Sequence, residues 1–152
     1  MNISKQILLL EKLLGKKVIL ESSSEFFTEE GEGQLSDKSL QIFSEFLDYC
    51  FNRLEIINIP EIRLVLKRTG EMSTGECSNN GTLVEVYTKN RHIVDVCRSV
   101  AHELKHVEQI QEDRMIVDKE DSATSPSEVE ATVFAATIMR DFEKKHPEIY
   151  EE

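Results

Sequence analysis

The order of residue periodicities along the chain predicts an α+β fold, with helical spacing first, a central stretch of period two, and two further helical stretches after it. An Asn80-Gly81 turn signal between two short candidate strands makes the predicted sheet small and mostly antiparallel. With 152 residues the chain has the length of one domain and can bury a core without disulfides or a structural metal. The expected layout is one domain over 1–152, with an N-terminal helix and acidic linker in 1–35 and the core in 36–152.

Each element has a local reason. Residues Ile3 to Leu14 carry apolar side chains at helical spacing until Gly15, and Val18 to Leu20 read as a short strand. From Glu21 to Ser36 the chain is rich in Ser, Gly and Glu without a sustained period, which predicts a linker or mobile acidic loop. Ser36 is a suitable N-cap for a helix bearing Leu40, Phe43, Phe46, Leu47, Cys50, Phe51 and Leu54 on one face. Ile62, Leu64 and Leu66 alternate with Arg63, Val65 and Lys67, as in a strand with one buried face. Thr82 to Thr88, TLVEVYT, is a second clear strand. From about Arg91 to Asp113, Ile93, Cys97, Val100, Leu104 and Val107 form one helical stripe. The last helix is announced by Ser125-Pro126-Ser127-Glu128 and runs to about Lys145, before Pro147. No internal repeat is present.

Bulk properties exclude several classes. A hydrophobic fraction of 39% with 31% charged residues reads as soluble, and no apolar run approaches the roughly 20 residues of a membrane span. The N-terminal apolar run is interrupted by Glu11 and Lys12 and lacks a small-residue cleavage site, so a cytoplasmic location is expected. Cys50, Cys77 and Cys97 are widely spaced and form no C-x-x-C pair, which points to reduced thiols. A net charge of −11 repels phosphate backbones, so a protein or peptide partner is expected, with no nucleic acid and no membrane.

The chemistry lies in the third helical stretch, where His102, Glu103 and His106 stand in the order H-E-x-x-H. At about 100° per residue, His106 lies roughly 40° around the helix from His102 and one turn along it, so both imidazoles can reach one ion. Glu103 falls about 60° from His106, near enough to reach a metal-bound water without ligating the metal. Leu104 points to the other side, so the helix is expected to lie between a core and a cleft. The alternative is a surface helix whose His102 and Glu103 are solvated.

A third ligand is needed. The extended pattern with Gly and His three and six residues after the second histidine is absent, since Gln109 and Glu112 stand there. On the last helix Glu128 shares a face with Thr132, Ala135 and Met139, while Glu130 projects about 200° away. Glu128 is therefore the favoured carboxylate, although an S-x-x-E capping box with Ser125 also explains it. Glu130, Asp113, Asp118, Glu120 and Asp121 remain alternatives.

AHELKHVEQ at Ala101 to Gln109, followed by E-V-E-A-T-V-F-A at Glu128 to Ala135, resembles the zincin metallopeptidases with a glutamate third ligand. The C-terminal half, with V-Y-T before the motif helix, is similar to small zincin-like peptidases of tailed bacteriophages and some bacteria. The resemblance implies a zincin-like fold in which an active-site helix and a C-terminal ligand helix pack with the sheet. It implies Zn²⁺ held by His102, His106 and Glu128, with Glu103 as general base. Thr132 stands where several such families have an Asp or Asn that orients a histidine ligand. TLVEVYT becomes the candidate strand for pairing with an extended substrate.

The function expected is hydrolysis of protein or peptide amide bonds by a metal-activated water, in a host cytoplasm if the chain is phage-encoded. The alternative, from another class, is a zincin-fold binding or regulatory module that cleaves nothing, such as a phage factor engaging a host protein. Neither Tyr87 nor Glu85 is assigned a role. His92, ten residues before His102, is too far to share the ion, and His146 is expected to be solvated.

Overall fold

A computed structural model describes the backbone of residues 16–19 and residues 24–68, 70, 72–113 and 125–151 in full. The strands are β1 (Lys16–Ile19), β2 (Phe26–Glu29), β3 (Glu61–Val65), β4 (Gly75–Cys77) and β5 (Leu83–Tyr87). The helices are α1 (Asp37–Arg53), α2 (Ile93–Gln111) and α3 (Pro126–Lys145), followed by a 3-10 turn over Pro147–Glu151. The predicted helix over Ile3 to Leu14 lies outside the described residues.

All five strands form one sheet in the order β1-β2-β3-β5-β4, and this α+β sheet is mixed rather than mostly antiparallel. The outer pairs β1/β2 and β4/β5 are antiparallel, while β2/β3 and β3/β5 are parallel. Parallel neighbours need a long crossover, and α1 supplies it between β2 and β3. The β4/β5 hairpin returns the chain so that β5 enters between β3 and β4. Gly81 turns that hairpin at φ +71°, where a side chain would also meet Ile110.

The sheet also corrects the reading of residues 21–36 as a linker and of residue 36 as the start of the core. Phe26–Glu29 is a strand within that segment, and Phe26 is fully buried with its ring 4.8 Å from Phe43 of α1. Four residues are too few to show a period amid Ser and Glu, but burying one phenylalanine outweighs local composition. Strands therefore precede α1, instead of helices preceding the whole sheet.

Elsewhere the predicted faces are mostly the buried ones, although at the end of β3 Val65 is also buried and Leu66 only partly so. Ile62 and Leu64 of β3 and Val84 and Val86 of β5 turn into the core, as does the Ile93, Cys97, Val100, Leu104, Val107 stripe of α2. Ser36 caps α1 by accepting from Ser39 N, and Phe46 meets Phe142 of α3 edge-on at 5.1 Å. Helix α2 thus lies between the sheet and α3, with its histidine-bearing side turned to the start of α3. His146, expected to be solvated, stacks on Phe142 at 4.3 Å and pairs with Glu148, because the chain turns back there into the 3-10 segment.

Candidate metal centre

The motif sits in the middle of α2, where backbone hydrogen bonding holds His102 and His106 one turn apart. His92 caps the helix by accepting from Val94 N, a role unrelated to the site. Opposite the histidines, α3 begins at Ser125, whose hydroxyl accepts from Glu128 N, with Pro126 in the first turn. The capping account and the ligand account of Glu128 use different atoms and are compatible. Its backbone N–H serves the cap while its carboxylate reaches across to α2.

Glu128 Oε2 lies 2.9 Å from His102 Nε2, and Glu128 Oε1 lies 2.9 Å from His106 Nε2. The two Nε2 atoms are 3.2 Å apart, and the three ligand groups present atoms within 4.8 Å of one another. Donor atoms about 2.0–2.1 Å from a tetrahedral ion stand about 3.3 Å from each other, so the spacing suits zinc.

The protonation pattern supports the same fit. Gln109 donates from Nε2 to Ser127 O at 3.1 Å and to Glu130 Oε1 at 3.3 Å, which leaves its Oε1 facing His106 Nδ1 at 2.8 Å. That oxygen can only accept, so Nδ1 of His106 carries a proton and Nε2 is the ring atom turned to Glu128 and His102. The 2.9 Å approach of that nitrogen to a Glu128 oxygen needs a positive charge between them, a proton or a metal ion. Burial, and secondarily the neighbouring His106, hold His102 below its ordinary imidazole range against the pull of Glu128. Both effects favour the neutral form of His102, the form that a metal requires.

Gln109 is thus a residue of the site that sequence reasoning passed over. The expected partner for a histidine was sought at Thr132, which instead borders the open cleft. The signal was available, since Gln109 is three residues after His106 and one helical turn away.

Glu103 lines a cleft of about 440 Å³ together with His102, Gly75 of β4, and Thr132 and Ala135 of α3. A Cβ at Gly75 would lie 3.2 Å from Glu103 Cγ, so the bare backbone of β4 packs directly on the glutamate. Beside it, burial pushes the Cys77 thiol up to about 12, with Glu103 and Glu76 adding to the effect. The thiol stays protonated, and Cys77 stands outside the group of converging donor atoms.

The other carboxylates fall away from the ligand set. Glu130 reaches Gln109 and lies 3.7 Å from Lys105 Nζ, so it flanks α2 rather than pointing to the opposite side as its projection suggested. Asp113 is exposed just beyond α2, in a left-handed conformation. Asp118, Glu120 and Asp121 lie outside the described residues, as does most of the connection after Gln111. The proposed pairing strand also changes. TLVEVYT is β5, flanked on both sides by β3 and β4, and the strand at this end of the sheet is β4.

No family model, no curated protein and no solved structure matches this chain. The reading of the site therefore rests on its own chemistry. Two imidazoles and a carboxylate converge, a glutamate borders the adjoining cleft, and a buried amide sets one histidine's tautomer.

Proposed function

We propose that the chain is a zinc-dependent metallopeptidase of zincin-like fold, with His102, His106 and Glu128 as ligands and Glu103 as general base. The observation that carries this reading is the meeting of two imidazole nitrogens and one carboxylate oxygen within 4.8 Å, beside a cleft lined by a further glutamate. Two histidines and one carboxylate suit Zn²⁺ and leave a fourth position open. The ion, when bound, supplies Lewis acidity that lowers the pKa of water towards about 7 and polarises a carbonyl.

The chain's own residues supply the rest. Gln109 holds His106 with Nε2 turned inward, and the capped start of α3 holds Glu128 against both rings. Glu103 follows His102 on the same helix, where its carboxylate accepts the proton of the attacking water and returns it to the amine leaving group. The cleft beside Glu103, bordered by Gly75 of β4 and by Thr132 and Ala135 of α3, is the place for the substrate peptide.

The test joins metal content to turnover. Native mass spectrometry is expected to show one zinc per chain, lost in His102→Ala and His106→Ala. An unchanged stoichiometry in both variants overturns the site. Comparison of cleaved termini in a protein mixture treated with wild type or Glu103→Gln then separates a peptidase from a zinc-holding binding module, which produces no Glu103-dependent cleavage.

A further inference from the structure

The cleft continues past His102 along the N-terminal half of α2, and its walls there differ from the acidic exterior. Its charged side chains beyond His102 are Arg91, Asp95 and Arg98. Arg91 is half-buried, and its hydrogen bonds run to Tyr87 O, Thr74 O, Asp95 O and Ser99 Oγ, all neutral oxygens. Among the described residues no carboxylate is within ion-pair distance of it, and the Asp95 carboxylate of the same cleft acts on it only from further off. Burial lowers its pKa, against the opposing pull of Asp95.

Arg98 stands one turn before His102 on the same face. It is half exposed and pairs with Asp95 at 3.5 Å. An exposed pair of that kind is worth little and is readily exchanged for another carboxylate. The remaining walls are Ser73, Thr74, Ser99, Thr132 and Ala135, all small or hydroxyl-bearing, so nothing there favours a large apolar side chain.

We propose that the end of the cleft beyond His102, between Arg98 and Arg91, receives a carboxylate of the substrate peptide, from an acidic side chain or from a C-terminus. This rests on the peptidase reading and sharpens it. The net charge of −11 disfavours acidic partners at long range, yet it is screened within about 8–10 Å, leaving the arginines to decide inside the cleft.

The test reads binding separately from cleavage. Zinc-loaded Glu103→Gln protein is titrated into labelled pentapeptides with a central Glu, Gln or Leu, each made as the C-terminal acid and the amide, and followed by fluorescence anisotropy. A charge-assisted contact is expected to make the Glu peptide, or the acid-terminated one, about tenfold tighter than its neutral counterpart. Which arm responds identifies the source of the carboxylate. Arg98→Gln is expected to abolish the difference at unchanged zinc content, and Arg98→Lys to retain part of it. Equal affinities, tightest binding of the Leu peptide, or an acidic preference indifferent to Arg98→Gln each overturn the proposal. Incubation of the same peptides with wild type separates the two readings. An Arg98-dependent preference without any cleavage upholds the carboxylate site and counts against hydrolysis, whereas cleavage confined to the Leu peptides does the reverse.

Discussion

The two histidines of the cluster are not equivalent. His106 is 4% exposed and locked by Gln109, whereas His102 borders the cleft. Losing an outer partner of a metal-bound imidazole typically weakens metal affinity by about 10- to 100-fold. Gln109→Ala is expected to do so in competition with a zinc chelator, with Glu130→Ala smaller and Glu128→Ala larger. Glu103→Gln keeps size and shape but removes the base, so turnover is expected to fall about 10²- to 10⁴-fold at equal zinc occupancy. Time courses with zinc measured in the same samples check this, and equal rates remove Glu103 from the mechanism. The lowered pKa of His102 has a definite sign for the zinc-free protein. Above pH 6.5 the ring is neutral whether folded or not. Below it the unfolded chain takes up the proton first, so stability falls until the lower folded value is passed. Melting of chelator-treated protein from pH 7.5 to 5 is expected to show a decline that is smaller in His102→Gln.

At the scale of elements, the site depends on where α3 starts. Ser125→Ala removes the cap that satisfies Glu128 N and is expected to cost about 1 kcal/mol in urea unfolding, with a loss of zinc affinity because the first turn carries the proposed ligand. Helix α2 does similar work at its other end. Buried Glu108 accepts from Glu55 N at 2.7 Å and from Lys105 at 2.6 Å, while Gln111 bonds Ile57 N and Asn58 O. The polar residues after the motif thus hold the loop that leads from α1 into β3. Strand β2 offers the sharpest check on the fold. If residues 21–36 were a solvated linker, Phe26→Ala would be nearly neutral, but burial against Phe43 predicts a loss of about 3–5 kcal/mol.

At the scale of the molecule, the apolar core joins β2, β3 and β5 to all three helices, and the His102, His106 and Glu128 group lies at the side of α2 facing the start of α3. The core is therefore expected to survive chelation with its far-UV circular dichroism intact. Zinc at one hundred times its dissociation constant adds about 2.7 kcal/mol, or about 5–10 °C in Tm for a chain of this size. Loss of all secondary structure on chelation would make the ion structural instead. No helix among the described residues is long and apolar enough to cross a membrane.

The sequence by itself determined the elements whose pattern runs over several turns. The buried stripe of α2, the span and cap of α3, and the adjacency of His102, Glu103 and His106 all follow from about 3.6 residues per turn, a purely local rule. Glu128 was legible for the same reason, since its neighbours on one face are small and apolar. What only the tertiary structure decided depends on partners distant in the chain. The parallel pairings around β3 follow from where α1 returns the chain, and β2 exists as a strand because Phe26 finds Phe43. Gln109 belongs to the site because Ser127 and Glu130 fix its amide, and Arg91 faces the cleft because Thr74 and Tyr87 hold it there. Periodicity reports which face of an element is apolar. It carries no information on which other element meets that face, because that choice is made by packing and by hydrogen bonds between residues far apart in sequence.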